Sequence, residues 1–141
     1  MFSREESRKL REEFWISFGK SYPRKWILYK TKIKGLSFKF NFDIKMAMVS
    51  IDVEGDLEQR ILVWEKLISL KSILLEDYWP EAIFEEYHLL ENQKEISRIY
   101  TELNEVSIHN KNTWLQTMMF LSQNMNKVEA FYEDFKDILK P

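Results

Sequence analysis

No cysteine occurs in the 141 residues, which excludes disulfides, thiol nucleophiles and cysteine-bound zinc together. Glycine and proline are scarce, three of each, and no stretch is low in complexity, so nothing marks a linker or a domain boundary. No apolar run approaches the ~20 residues that span a bilayer. The segment Met1 to Arg11 is dense in charge and lacks the apolar stretch of a secretory leader. These absences together predict a cytoplasmic protein without membrane contact. Also missing are a Gly-rich phosphate loop, a nucleophile elbow and a paired-histidine metal motif. The sequence therefore predicts no catalytic residue, no metal site and no cofactor.

What is present is a globular composition, 45% hydrophobic and 31% charged. A chain of this size buries roughly 70% of its unfolded surface without staples, and residues 1–141 read as a single α+β domain. Aromatics are abundant, with five Trp, six Tyr and ten Phe, and predict a core built from rings. The formal net charge is only −2, but it is unevenly spread. Lys20 to Lys45 holds eight bases and one acid, whereas Asp52 to Glu95 holds twelve acids and four bases.

Periodicity divides the chain into helix, hairpin, helix, hairpin and long helix. Ser3 and Glu6 form a capping-box pattern, after which Leu10, Phe14 and Phe18 recur every four residues up to Gly19–Pro23. Leu36, Phe38, Phe40 and Phe42 alternate with polar residues, which predicts a strand with those rings buried and Lys39 and Asn41 outside. Ala47, Val49, Ile51 and Val53 continue as its hairpin partner. Asp56 caps a second helix, whose apolar positions Leu57, Ile61, Trp64, Ile68, Leu75 and Tyr78, widened by Leu67, Leu70 and Leu74, extend to Pro80. Ile83–Leu90 and Ile96–Leu103 form two further strands around a polar turn. Asn110 or Asn112 caps a final helix striped by Trp114, Met118, Leu121, Met125, Val128, Tyr132, Phe135 and Leu139. The fold class is thus α+β, with a four-stranded, mainly antiparallel sheet and helices packed on it. The first half of the final helix is expected on the sheet. Its second half is expected on the first helix through Leu10, Phe14 and Phe18, in preference to a second subunit.

Several strings, taken in order, carry a resemblance. They are Phe14-Trp15 with Phe18-Gly19 and Tyr22, Trp26 through Tyr29-Lys30-Thr31, and Ile33-Lys34-Gly35-Leu36-Ser37-Phe38-Lys39-Phe40. Val106-Ser107-Ile108, Asn110-Lys111, Thr113-Trp114, Met125, Glu129 and Phe131 continue it. Together they resemble the uncharacterised bacterial domain-of-unknown-function family 4268, in its stand-alone form. Some similar proteins carry a nuclease-like domain in front. The resemblance implies no activity and no catalytic residues.

Candidate chemistry is sparse. A nuclease centre needs an acid followed on the next strand by an acid-any-Lys triplet around a metal. Asp43-Ile44-Lys45 sits at a turn and Asp134-Phe135-Lys136 on a helix, while Asp52 and Glu54 share a strand face that could hold a metal. Glu86 and His88 also share a strand face. Charged turns and solvated faces explain all of these more simply. The best functional candidate is a basic surface of Lys20, Arg24, Lys25, Lys30, Lys32 and Lys34, interleaved with Tyr22, Trp26 and Tyr29 as stacking rings. Its competitor is a solvated loop pinned to the core by those rings, and the acidic pI of 5.8 favours the competitor. Three functions follow in order. The first is a non-catalytic interaction or accessory module that binds a partner protein or a second copy. The second is a nucleic-acid-associated accessory domain of a nuclease or restriction-type defence system. The third is a metal-dependent, nuclease-like enzyme.

Overall fold

Ser3 opens the first helix. Its hydroxyl accepts from the Glu6 amide and the Glu6 carboxylate accepts from the Ser3 amide, both at 3.1 Å, which satisfies two orphan donors of the first turn. In the computed structural model, which describes residues 2–140, α1 then runs Arg4–Ser21. Met1 and Pro141 lie outside the described residues. β1 (Leu36–Phe42) and β2 (Met46–Val53) form a hairpin. The Asp43 carboxylate closes it by accepting from the Lys45 and Met46 amides at 2.7 and 2.9 Å. Asp56 caps α2 (Leu57–Ser69) by accepting from the Gln59 amide at 3.0 Å. A short α3 (Lys71–Ile73) and a π-helical turn (Leu74–Tyr78) follow. Next come β3 (Ile83–Leu89), β4 (Glu95–Asn104) and α4 (Trp114–Leu139). The strand order is β1-β2-β4-β3 and every neighbouring pair is antiparallel.

The register decides which side of the sheet is dry. Phe38 faces Ile51, which faces Ile99, while Phe42 faces Ala47. These residues share one core with Phe14 and Phe18 of α1, Trp64 and Leu67 of α2, and Leu121 and Met125 of α4. The helices therefore cover one face, as expected of an α+β layer. Phe38 and Phe42 are buried, and half-buried Phe40 lies among Trp15, Phe18 and Trp26. The opposite face presents Lys39, Ser50, Asp52 and Arg98, none of which joins that core. Among the described residues no helix is long and apolar enough to cross a membrane.

Four local expectations need correction. The apolar run after Asp56 is not one helix. It breaks at Leu70 and widens into the π turn, where the Trp79 amide donates to the Leu74 carbonyl at 2.7 Å. The widening buries Trp79, whose indole N–H donates to the Asn124 side chain at 3.0 Å. The buried stripe of α2 is also rotated: Val63, Trp64 and Leu67 are inside, whereas Leu57, Ile61 and Ile68 are exposed. Arg60 takes a buried position in their stead, because it reaches Glu95 of β4. The first half of α4 joins the core of the sheet as expected, but its second half does not dock on α1. Trp114, in its first turn, packs edge-on against Phe14 of α1, while Phe131 and Phe135 are covered by Tyr78 of the π turn. Finally, a bulge between Glu85 and His88 shifts the register of β3. His88 consequently bonds Glu85 at 2.7 Å, rather than pairing with Glu86.

One backbone contact fixes the approach to β1. Gly35 has φ +84°, and a Cβ built there would lie 2.4 Å from the Glu54 carbonyl oxygen. The Glu54 amide donates back to the Gly35 carbonyl at 2.8 Å. Gly35→Ala is expected to destabilise the fold by about 1–3 kcal/mol, read as a lower urea midpoint with an unchanged m-value.

Candidate functional site

The segment between α1 and β1 is irregular but tightly held. Its main anchor is Glu129, a buried carboxylate on α4. Glu129 accepts from the Arg24 guanidinium and, at 2.7 Å, from the Ile27 amide. One helical turn further on, the Tyr132 hydroxyl donates to the Thr31 carbonyl. Thr31 is itself fully buried, and its hydroxyl donates to the Leu36 carbonyl at 2.7 Å. Between these two tethers the chain makes a tight turn, the Lys30 amide donating to the Ile27 carbonyl at 2.9 Å. Leu28, at the second position of the turn, takes φ +50°, and Lys32 takes φ +61°. Left-handed backbone at non-glycine residues is costly and persists only where the surroundings hold it. The result is that Tyr29, at the tip, is 76% exposed.

Tyr29, Lys32, Lys34, Ser37, Lys39 and Glu54 line an open cleft of about 650 Å³ beside the β1 edge. Its floor continues into an ion network on the helix-free face of the sheet. Arg98 donates to both oxygens of Asp52, at 2.8 and 3.0 Å. Lys39 reaches Asp52 at 3.3 Å and Glu54 at 3.2 Å, and Lys94 reaches Glu54 at 2.8 Å. Arg98 also lies 3.1 Å from His88 Nε2. Since arginine can only donate, that nitrogen accepts, which puts the ring hydrogen on Nδ1 toward Glu85. Burial pushes the Asp52 carboxyl up, but the hydrogen bonds and charge of Arg98, helped by Lys39, outweigh it and hold the group below its ordinary value. Glu54 is lowered chiefly by its hydrogen bond to Lys94, against burial and with help from Lys39. Lys39 is raised: burial opposes this, and the Asp52 and Glu54 carboxylates prevail.

The nine residues singled out in the sequence divide on this geometry. Arg24 is held by Glu129 and Asn126 and stacks over Trp26 at 4.0 Å. Trp26 and Tyr22 are half-buried against Phe18. These three therefore build the loop. Lys20, at the end of α1, and Lys25, Lys30, Lys32 and Lys34 are exposed, and among the described residues none of them forms an ion pair. Tyr29 is the exposed ring of the set. Ser37, Lys39 and Glu54 also line the cleft; the sequence marks Ser37 and Lys39 as polar-face strand positions and Glu54 as a metal candidate beside Asp52, and the strand alternation is the signal that groups them.

The other candidates resolve into structural roles. Asp43 forms the hairpin turn, and Asp134 accepts from the Tyr78 hydroxyl. Asp52 and Glu54 are occupied by cationic side chains, and among the described residues no three His, Cys, Asp or Glu side chains converge to hold a metal. His109 Nε2 lies 2.7 Å from the Ser7 hydroxyl, and its ring stacks on Phe2. No carboxylate bonds the second ring nitrogen among the described residues, so this pair ties the 107–110 turn to α1.

The family described as Domain of unknown function (DUF4268) matches residues 10–136. That match covers nearly all of the chain, which belongs to this family. Comparisons with curated proteins and with solved structures give no match.

The ion network makes two predictions. Arg98→Ala, which leaves the buried Asp52 with only its longer contact to half-exposed Lys39, is expected to cost about 3–5 kcal/mol in urea denaturation. The double change Asp52→Leu with Arg98→Met should recover most of it. Stability should also have a plateau in pH. The lowered carboxyls contribute above about pH 5, and that contribution is lost as pH falls through their folded values. Lys39 contributes below about pH 10, with loss as pH rises through its raised value. Thermal melts across pH, compared between the native chain and the double variant, check both limits.

Proposed function

We propose that this chain is a non-catalytic accessory module that binds a single-stranded nucleic acid through the turns around Tyr29. The observation that carries the reading is the exposure of Tyr29 at the tip of a strained, doubly tethered turn. An aromatic ring held open at a conformational cost is suited to stacking on an unpaired base, and the exposed lysines at 25, 30, 32 and 34 are suited to the flanking phosphates. A rigid loop loses little entropy on binding, which favours affinity from few contacts. The acidic net charge limits non-specific attraction, so binding is expected to be local and salt-sensitive.

Fluorescence anisotropy with labelled single- and double-stranded oligonucleotides at low and rising salt tests this. Single strands are expected to bind more tightly, with a log–log salt slope of about −2 to −3 for three or four phosphates. Tyr29→Ala should weaken binding by ~1–3 kcal/mol. Exchanging Lys30, Lys32 and Lys34 together for Glu should abolish it while leaving the circular dichroism spectrum unchanged. Absence of binding at low salt, or binding indifferent to the triple exchange, would remove the proposal.

A further inference from the structure

The outer side of α2 carries an apolar stripe that none of the described residues covers. Leu57, Ile61 and Ile68 are 58%, 45% and 43% exposed, and helical spacing aligns them on one side. Leu57 and Ile61, with Trp64, line a groove of about 240 Å³, across which stands Tyr87 of β3, 66% exposed, and Ile68 continues the stripe beyond it. The charge within the groove is already balanced, because buried Arg60 donates to the Glu95 carboxylate at 2.7 Å and to its carbonyl at 2.9 Å. The rim is different. Glu65 and Glu86 line it, are exposed and form no ion pair among the described residues. At the far end Lys71 lies over the Phe84 ring at 5.0 Å.

Three observations select the occupant. The apolar line from Leu57 to Ile68 runs about 16 Å, three turns of a facing helix. Strand addition is disfavoured, since the outer edge of β3 is interrupted by the bulge between Glu85 and His88. A two-fold contact with a second copy would set one acidic rim against another. We propose that this groove docks a basic amphipathic helix of a partner protein. Its apolar side would rest on Leu57, Ile61 and Tyr87, and its lysines or arginines would face Glu65 and Glu86. This surface is separate from the lysine-bearing turns and does not rest on the nucleic-acid reading.

The test uses the full chain and a fluorescent helical peptide of about 18 residues, leucine on one side and lysine and arginine on the other, against a matched peptide with glutamate in the basic positions. The basic peptide should bind and the acidic one should not. Ile61→Glu should weaken binding about tenfold or more, as loss of a buried apolar anchor does. It does so although it adds an acid, so attraction by charge alone predicts the opposite sign. Glu65→Lys with Glu86→Lys should weaken it as well, and exchange of Lys30, Lys32 and Lys34 should not. Both α2 and β3 positions are exposed, and circular dichroism of each variant confirms the fold. Equal binding of the two peptides, failure of the basic peptide to bind, or tighter binding by Ile61→Glu would overturn the proposal. So would a native dimer in sedimentation that Ile61→Glu converts to a monomer, which would assign the groove to a second copy.

Discussion

A single buried carboxylate organises the end of this molecule that carries its exposed cations. Glu129 lies on the inner side of α4, where an unpaired charge would be prohibitive. It is satisfied by the Arg24 guanidinium and the Ile27 amide, both from the irregular segment between α1 and β1. The carboxylate needs those donors, and the segment, which has no ladder of its own, needs an acceptor for its backbone. Tyr132 repeats the arrangement one turn later at Thr31. The turn from Ile27 to Lys30 is thereby stretched between two points of one helix, and its tip has nowhere to go but outward. The left-handed conformations of Leu28 and Lys32 are the local expression of that constraint.

The sheet imposes the second constraint. With the helices on one side, the other side must meet water, and its central strands solve this with charge instead of apolar cover. Lys39 of β1, Asp52 of β2, Arg98 of β4 and His88 of β3 connect across all four strands. Cross-strand pairs of opposite sign are favourable on such a face, and the network is close enough to satisfy the fully buried Asp52. Ser50 Oγ, buried beside it without a hydrogen-bond partner, is the exception. In the same network cationic side chains hold the oxygens of Asp52 and Glu54.

The two proposed surfaces belong to opposite edges of the sheet. The turn bearing Tyr29 is joined to β1 by the bond from the Phe38 amide to the Leu28 carbonyl, and the groove beside Tyr87 borders β3. One is cationic with an open ring, the other apolar with an acidic rim. A partner helix in the groove and a polyanion on the turns would not compete for the same side chains. The uneven charge along the sequence thus survives folding as two separate regions, because the basic stretch and the acidic half pair with each other only in part.

Much of the architecture was legible locally. The capping box at Ser3, the alternation of Leu36 to Phe42, the Asp56 cap and the stripe of α4 each depend on residues within a few positions of one another, so periodicity and capping identify them. The same local signals determined the α+β class, and the family strings fall within the matched region 10–136. What they could not determine was which member of a pattern meets which neighbour. Leu57, Ile61 and Ile68 fit the helical period as well as Trp64 does, and only the reach of Arg60 to Glu95, 35 residues away, rotates them outward. Tyr22, Trp26 and Tyr29 look alike in the sequence. Their different fates follow from Phe18 and Glu129, the latter 105 residues beyond Arg24, whose positions are fixed only once α4 docks. Caps and periods are properties of a short segment, whereas exposure is set by contacts between distant ones.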